Sequence, residues 1–294
     1  MIIDVHTHPP SHPYEVPENE RKIDTVMRSG TAIPVTNSVA DYLKAMEPVD
    51  KAFVFGIATN PLKPGRVLVP LDGWPEGFNE NDVVAEVARR APDKIVPFMS
   101  VHPLDPRVND EYDRAVGDLG CKGIKLAPNY QIFDPVGEEA FRLYARLEAD
   151  GIPAVFHQGT SPFWEAPLEW AHPLIMDRIA IRFPELKVVM AHLGHPWHVD
   201  TITVVRKHPN IWTDVSAQFY RPWSFWNGMR LFHEWGVTQK ILFASDWSVS
   251  EPQDNIDGLH NLNKFARDHY LPGIPEDEIE SIINRDALGI LGVE

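Results

Sequence analysis

Six side chains in this sequence combine the donors and the placement that a divalent cation needs: His6, His8, Lys125, His157, His192 and Asp246. Each falls near the C-terminal end of a short β-rich run. A catalytic metal ion takes imidazole and carboxylate ligands and keeps one position open for water or substrate. His6, His8, His157 and Asp246 supply three imidazoles and a carboxylate from three such runs. A lone histidine is more often a hydrogen-bonded core residue. Six titratable residues at the same end of successive runs argue for a site instead.

The elements that position them alternate. The β-rich runs are 1–8, 51–58, 94–102, 123–128, 153–159, 187–194, 211–216 and 241–247, dominated by β-branched and aromatic residues. Helical stretches separate them. In 137–150, for example, Ala140, Leu143, Tyr144 and Leu147 recur at i, i+3, i+4 and i+7, with Gly151 placed as a C-cap. Alternation of this kind implies a parallel sheet, and eight units predict a closed (β/α)8 TIM barrel over 1–294 as one domain. The strand ends then meet at one mouth. Side chains alternate along a strand, which sets His6 and His8 on the interior side with Asp4 one step deeper. Two connections, 9–38 and 59–80, are long enough to serve as lids or binding elements.

Composition narrows the partners. A formal net charge of −15 and no basic run argue against nucleic acid and anionic membranes. No segment has the roughly 18–20 consecutive apolar residues of a membrane span. The single Cys121 cannot form an internal disulfide, and nothing before His6 resembles a signal peptide, so a reduced, cytoplasmic setting is expected. The remaining partner is a small molecule; the sequence leaves the oligomeric state open, with a homodimer one option. Loop aromatics favour an apolar or aromatic substrate. Phe163, Trp164, Tyr220 and Trp247 are the expected binding wall, with Arg221 beside them to take a carboxylate or phosphate. Trp226 and Trp235, in helical sequence, read as barrel–helix packing or dimer contacts.

The segments IDVHTH, CKGIKLAP, PAVFHQGTS, VVMAHLGHPW, ILFASDW and NRDALGILG span nearly the whole chain. Together they resemble the amidohydrolase superfamily, in particular the amidohydrolase-related branch that includes aminocarboxymuconate semialdehyde decarboxylase and the resorcylate decarboxylases. The resemblance implies that His6, His8, His157 and Asp246 are metal ligands. It implies that His192 is an acid–base group in a one-metal site or a ligand in a two-metal site, and that Asp246 also carries a proton. Lys125 matches a lysine that bridges two ions as a carbamate in two-metal relatives; an ammonium that pairs with substrate or Asp246, and a structural lysine, are the other readings. Burial would favour the neutral amine that reacts with CO2. One or two divalent ions are implied: zinc first, with manganese, iron or cobalt accepted by the same donors.

The reading that follows is a metal-dependent hydrolase that activates water against an amide, ester or thioester carbonyl, with Asp246 or His192 moving the proton. The alternative is a non-oxidative decarboxylase of a small aromatic or unsaturated acid.

Overall fold

A computed structural model describes residues 1–28, 31–63, 71 and 73–293. Part of the 59–80 connection therefore lies outside the described residues. Eight parallel strands follow one another around the sheet: β1 (Ile3–Thr7), β2 (Lys51–Val54), β3 (Ile95–Met99), β4 (Gly123–Leu126), β5 (Ala154–Phe156), β6 (Val188–Met190), β7 (Ile211–Asp214) and β8 (Ile241–Leu242). The last meets the first through Val5 N–H to Phe243 O at 3.1 Å, Asp246 N–H to His6 O at 2.8 Å and His8 N–H to Trp247 O at 2.8 Å. The result is the expected (β/α)8 barrel. No helix among the described residues is long and apolar enough to cross a membrane.

At least one helix follows each strand, and the main ones are α1 (Val39–Ala45), α2 (Glu80–Arg90), α3 (Val108–Gly117), α4 (Glu138–Asp150), α5 (Leu174–Arg182), α6 (His198–Lys207), α7 (Pro222–Glu234) and α8 (Pro252–Asp268); shorter ones add Pro128–Gln131, Glu276–Ile283 and Ala287–Leu291. Local chemistry starts and stops them. Ser38 with Asp41, and Asn79 with Asp82, form capping boxes that satisfy the first free N–H groups of α1 and α2. The expected stripe of α4 is buried, and Gly151 ends that helix in the left-handed region at φ 69°.

Two apolar layers result. The inner one joins Ile3, Val5, Phe53, Phe55, Phe98, Val155, Val189, Leu242 and Ala244 to the C-terminal Ala287 and Leu291. The outer one packs the alternate strand residues, such as Val54, Leu126, Phe156 and Met190, against the helices. Strand β1 departs from simple alternation. Its register is irregular between Asp4 and Thr7, and Val5 joins the inner layer although it lies between Asp4 and His6. Asp4 does not continue the row of His6 and His8. Its Oδ1 accepts from His6 N–H at 3.1 Å and from Ser245 N–H at 3.0 Å, at the seam between β1 and β8.

Candidate metal centre

The strand ends bring the expected residues to one mouth. His6, His8, Lys125, His157, His192 and Asp246 all line a single cavity of about 340 Å³. Nitrogen and oxygen atoms of His6, His192 and Asp246 lie within 4.8 Å of one another. One Asp246 Oδ1 stands 3.3 Å from His6 Nε2 and 3.3 Å from His8 Nε2. The His157 and His192 ring centres are 5.2 Å apart.

Hydrogen bonds behind the rings decide which nitrogen faces the cavity. His6 Nδ1 donates to Asp214 Oδ2 at 2.9 Å, and His8 Nδ1 to the Phe55 carbonyl at 3.1 Å. Ser216 Oγ donates to Asp214 Oδ1 at 2.5 Å and so accepts from His192 Nδ1 at 2.7 Å. In each case the assigned tautomer leaves Nε2 as an acceptor on the cavity side, the arrangement in which an outer carboxylate or carbonyl orients a metal-binding histidine. Asp214 also accepts from the His192 and Ser216 amides at 2.9 and 3.0 Å. It therefore aligns two imidazoles at once. His192 sits in the left-handed region at φ 61° and Asp246 at φ 65°, conformations that non-glycine residues adopt rarely.

Electrostatics follow from burial and these neighbours. Burial, then the cation of Lys125, pushes His6 down to about 3. Burial, aided by His192 and Lys125, drives His157 well below the usual imidazole range. His192 is also lowered, chiefly by burial. Burial alone would raise Asp246 and Asp214, but the surrounding imidazoles outweigh it and hold both below their ordinary value. Lys125 is 1% exposed, bonds His6 Nε2 at 3.1 Å and lies over the Phe55 ring at 4.6 Å. Burial brings its amine down to about 8.

These observations fit a divalent cation. Neutral imidazoles and an ionised carboxylate converge as acceptors with few donors between them, and the buried His157 Nε2 has no protein partner. Such a group costs about 1–3 kcal/mol if left unsatisfied. A cation would satisfy it.

The expected binding wall is partly corrected. Phe163, Tyr220 and Arg221 line the cavity. Trp164 does not, and at 91% exposure it points to solvent. Trp247 is buried but packs edge-on against Tyr42 of α1, with ring centres 5.1 Å apart, away from the cavity. Trp226 is buried among the helices, and Trp235 is about half exposed. The 9–38 connection contributes Val26, Met27, Val35 and Asn37 to the wall. It is shaped by a short antiparallel pair, Ile23–Asp24 with Ile33–Pro34. Arg28 from this segment lies 4.6 Å over the Tyr220 ring, and Arg221 lies 4.5 Å from the same ring. Asp214, Ser216, Tyr130 and Gln158 were not anticipated. The IWTDVS run carried a signal for the first two, because Asp214 and Ser216 stand at a strand end like the rest.

Solved structures of similar fold include an uncharacterized TIM-barrel protein from Bordetella bronchiseptica, at 20% identity and TM-score 0.68, covering 99% of each chain. A probable 2-pyrone-4,6-dicarboxylic acid hydrolase from Acinetobacter baumannii, with citric acid bound, matches at 16% identity and TM-score 0.63, again over 99% of each chain. A dihydroxybenzoic acid decarboxylase from Polaromonas, with bound manganese and 2-nitroresorcinol, matches at 15% identity and TM-score 0.63, over 99% of this chain and 96% of that one. At such identities the likeness establishes the fold. No curated protein sequence matches significantly. The Amidohydrolase family model matches residues 3–292, and the chain belongs to the amidohydrolase family.

Proposed function

We propose that this protein is a metal-dependent, non-oxidative decarboxylase of a small aromatic or unsaturated carboxylic acid. The observation that carries the reading is the make-up of the cavity. Imidazoles, Asp246 and Lys125 form a polar floor, and Val26, Met27, Val35, Ile57 and Phe163 supply apolar walls, in a volume suited to a ring-sized acid. The manganese-containing decarboxylase among the solved relatives supports the same choice. This reverses the order expected from sequence, where hydrolysis led.

His6, His8, His157 and Asp246 would hold the ion, with His192 in reach, and the N/O donor set accepts zinc, manganese, iron or cobalt. Bound there, the ion supplies Lewis acidity and an anchor for an anionic oxygen. Lys125 and Arg221 draw the substrate's carboxylate into an acidic protein, and the apolar walls keep water from the ring. Loss of CO2 leaves an electron pair on carbon, which a proton held at His192 Nε2 or an Asp246 oxygen quenches. Both groups are held towards the unprotonated form. Once either has taken a proton from substrate or water, its lowered affinity makes it a ready donor. If Lys125 instead carried a carbamate, it would leave the cationic role to Arg221 alone and supply an anionic ligand for a second ion, and an amine lowered to about 8 is available for that reaction.

Hydrolysis is the second reading. The ionised Asp246 and the free Nε2 of His192 suit a general base, and the Acinetobacter relative is described as a probable hydrolase. Incubating metal-loaded protein with hydroxybenzoates, and separately with esters, lactones and thioesters, distinguishes the two. CO2 release from the acids supports decarboxylation, whereas hydrolysis of the panel with no CO2 release would replace it.

A further inference from the structure

We infer that Gln158 is a specificity-determining residue that selects acids carrying a hydroxyl or N–H donor. The inference rests on the acid-substrate reading above and goes on to define the substrate's second functional group. Gln158 is fully buried and lines the cavity directly after His157. Its Nε2 donates to the His157 carbonyl at 3.0 Å, and its Oε1 has no partner in the protein. The reverse amide orientation would set two carbonyl oxygens against each other, so the anchored nitrogen fixes the oxygen as the free end.

The backbone that carries this acceptor is pinned. Gly159 occupies φ 104°, and a Cβ there would meet the His195 carbonyl oxygen at 2.4 Å. Gly159 N–H donates to Ala171 O at 2.8 Å and Thr160 N–H to His195 O at 2.7 Å. A buried acceptor held this firmly favours a ligand with a matching donor over one without it. Next to the ligand set, that donor belongs to the same small molecule whose carboxylate meets the floor.

The test uses the metal-loaded protein and four probes of nearly equal size, benzoate and the three monohydroxybenzoates, with dissociation constants measured by calorimetry. Wild type should prefer at least one hydroxybenzoate over benzoate by about tenfold or more. Gln158→Met, which keeps the volume and removes the acceptor, should bring that ratio towards one. Gln158→Asn, which keeps an amide but draws the oxygen back by one carbon, should lower it in the same direction. Metal content and thermal midpoint confirm that each variant is folded. Binding of the acids with no preference in wild type, or a preference that survives both substitutions, overturns the role of Gln158 and leaves the acid reading standing. No binding of any probe by wild type overturns both.

Discussion

At the floor of the cavity His6 and His192 are held from behind by Asp214 and Ser216 through contacts of 2.9, 2.5 and 2.7 Å. The wall opposite in kind, Val26, Met27 and Val35, comes from a connection whose regular structure, among the described residues, is one 3-10 turn at Glu18–Glu20 and two residues in each of two short strands. The floor is built on strand ends, where backbone pairing sets each Cα and an outer hydrogen bond sets each ring. The wall is built on loop backbone and apolar contact. Sites on rigid elements fix chemistry more closely than loops do, whereas loops can change shape and selectivity without disturbing the barrel. Substitutions should therefore separate the two regions: rate and metal retention at the floor, substrate preference at the wall.

Outside the four proposed ligand positions, the largest effect is expected at His192. His192→Asn should lower kcat by at least about 100-fold, the lower end for a positioned proton carrier, while metal content stays near wild type if a single ion is held. Steady-state kinetics beside elemental analysis checks this, and near-normal kcat would reduce His192 to a wall residue. Next comes Asp214→Asn, which removes the charge that orients His6 and, through Ser216, His192. Loss of an outer-shell carboxylate should weaken metal binding or activity by about 10- to 100-fold. Metal titration against a competing chelator reads it, and unaltered affinity together with unaltered rate would contradict the orienting role.

At the wall, Phe163→Ala should raise KM about tenfold with a smaller change in kcat, because it removes apolar surface from the cavity. Trp164→Ala should leave KM within about twofold, since that ring faces solvent. Equal effects of the two would reverse the assignment of which aromatic touches substrate.

Stability should depend on pH through the buried histidines. Burial lowers His198 to about 4, against about 6.5 in an unfolded chain. Between those values the unfolded state binds the extra proton, so stability rises with pH, is fully present above about 6.5 and is lost as pH falls towards 4. Asp4, raised by burial to about 7, works in the other direction over its own window between about 4 and 7. For the metal-free protein, the slope of unfolding free energy from denaturant titrations between pH 4 and 6.5 should become shallower in His198→Gln, by up to about 1.4 kcal/mol per pH unit. An identical slope in both proteins would mean that His198 protonates freely in the fold.

Much of this floor could be read from residue type and position. His6, His8, Lys125, His157, His192 and Asp246 each lie in a strand or a few residues past its end, and barrel geometry leaves strand ends nowhere to go but the mouth. Asp214 ends a strand too, but its part lies in which ring nitrogens it faces, and only the tertiary placement of β7, between β6 and β8 with its end towards His6, decides that. Alternation misplaced Asp4 because the irregularity in β1 is not encoded in a period of two. Aromatic side chains on loops carried no directional information. Phe163 turns inward and Trp164 outward, one residue apart, and Trp247 follows Asp246, whose left-handed backbone redirects the chain. The choice between decarboxylation and hydrolysis was illegible for a different reason, since both use the same donors.

The most direct test of the account is metal per chain measured together with turnover, before and after exhaustive chelation, for wild type beside His6→Ala, His8→Ala, His157→Ala and Asp246→Asn. The account predicts one or two equivalents of a divalent ion in wild type, activity that disappears on chelation and returns with added metal, and both metal and rate lost in each variant. Full turnover by rigorously metal-free wild-type protein would contradict it.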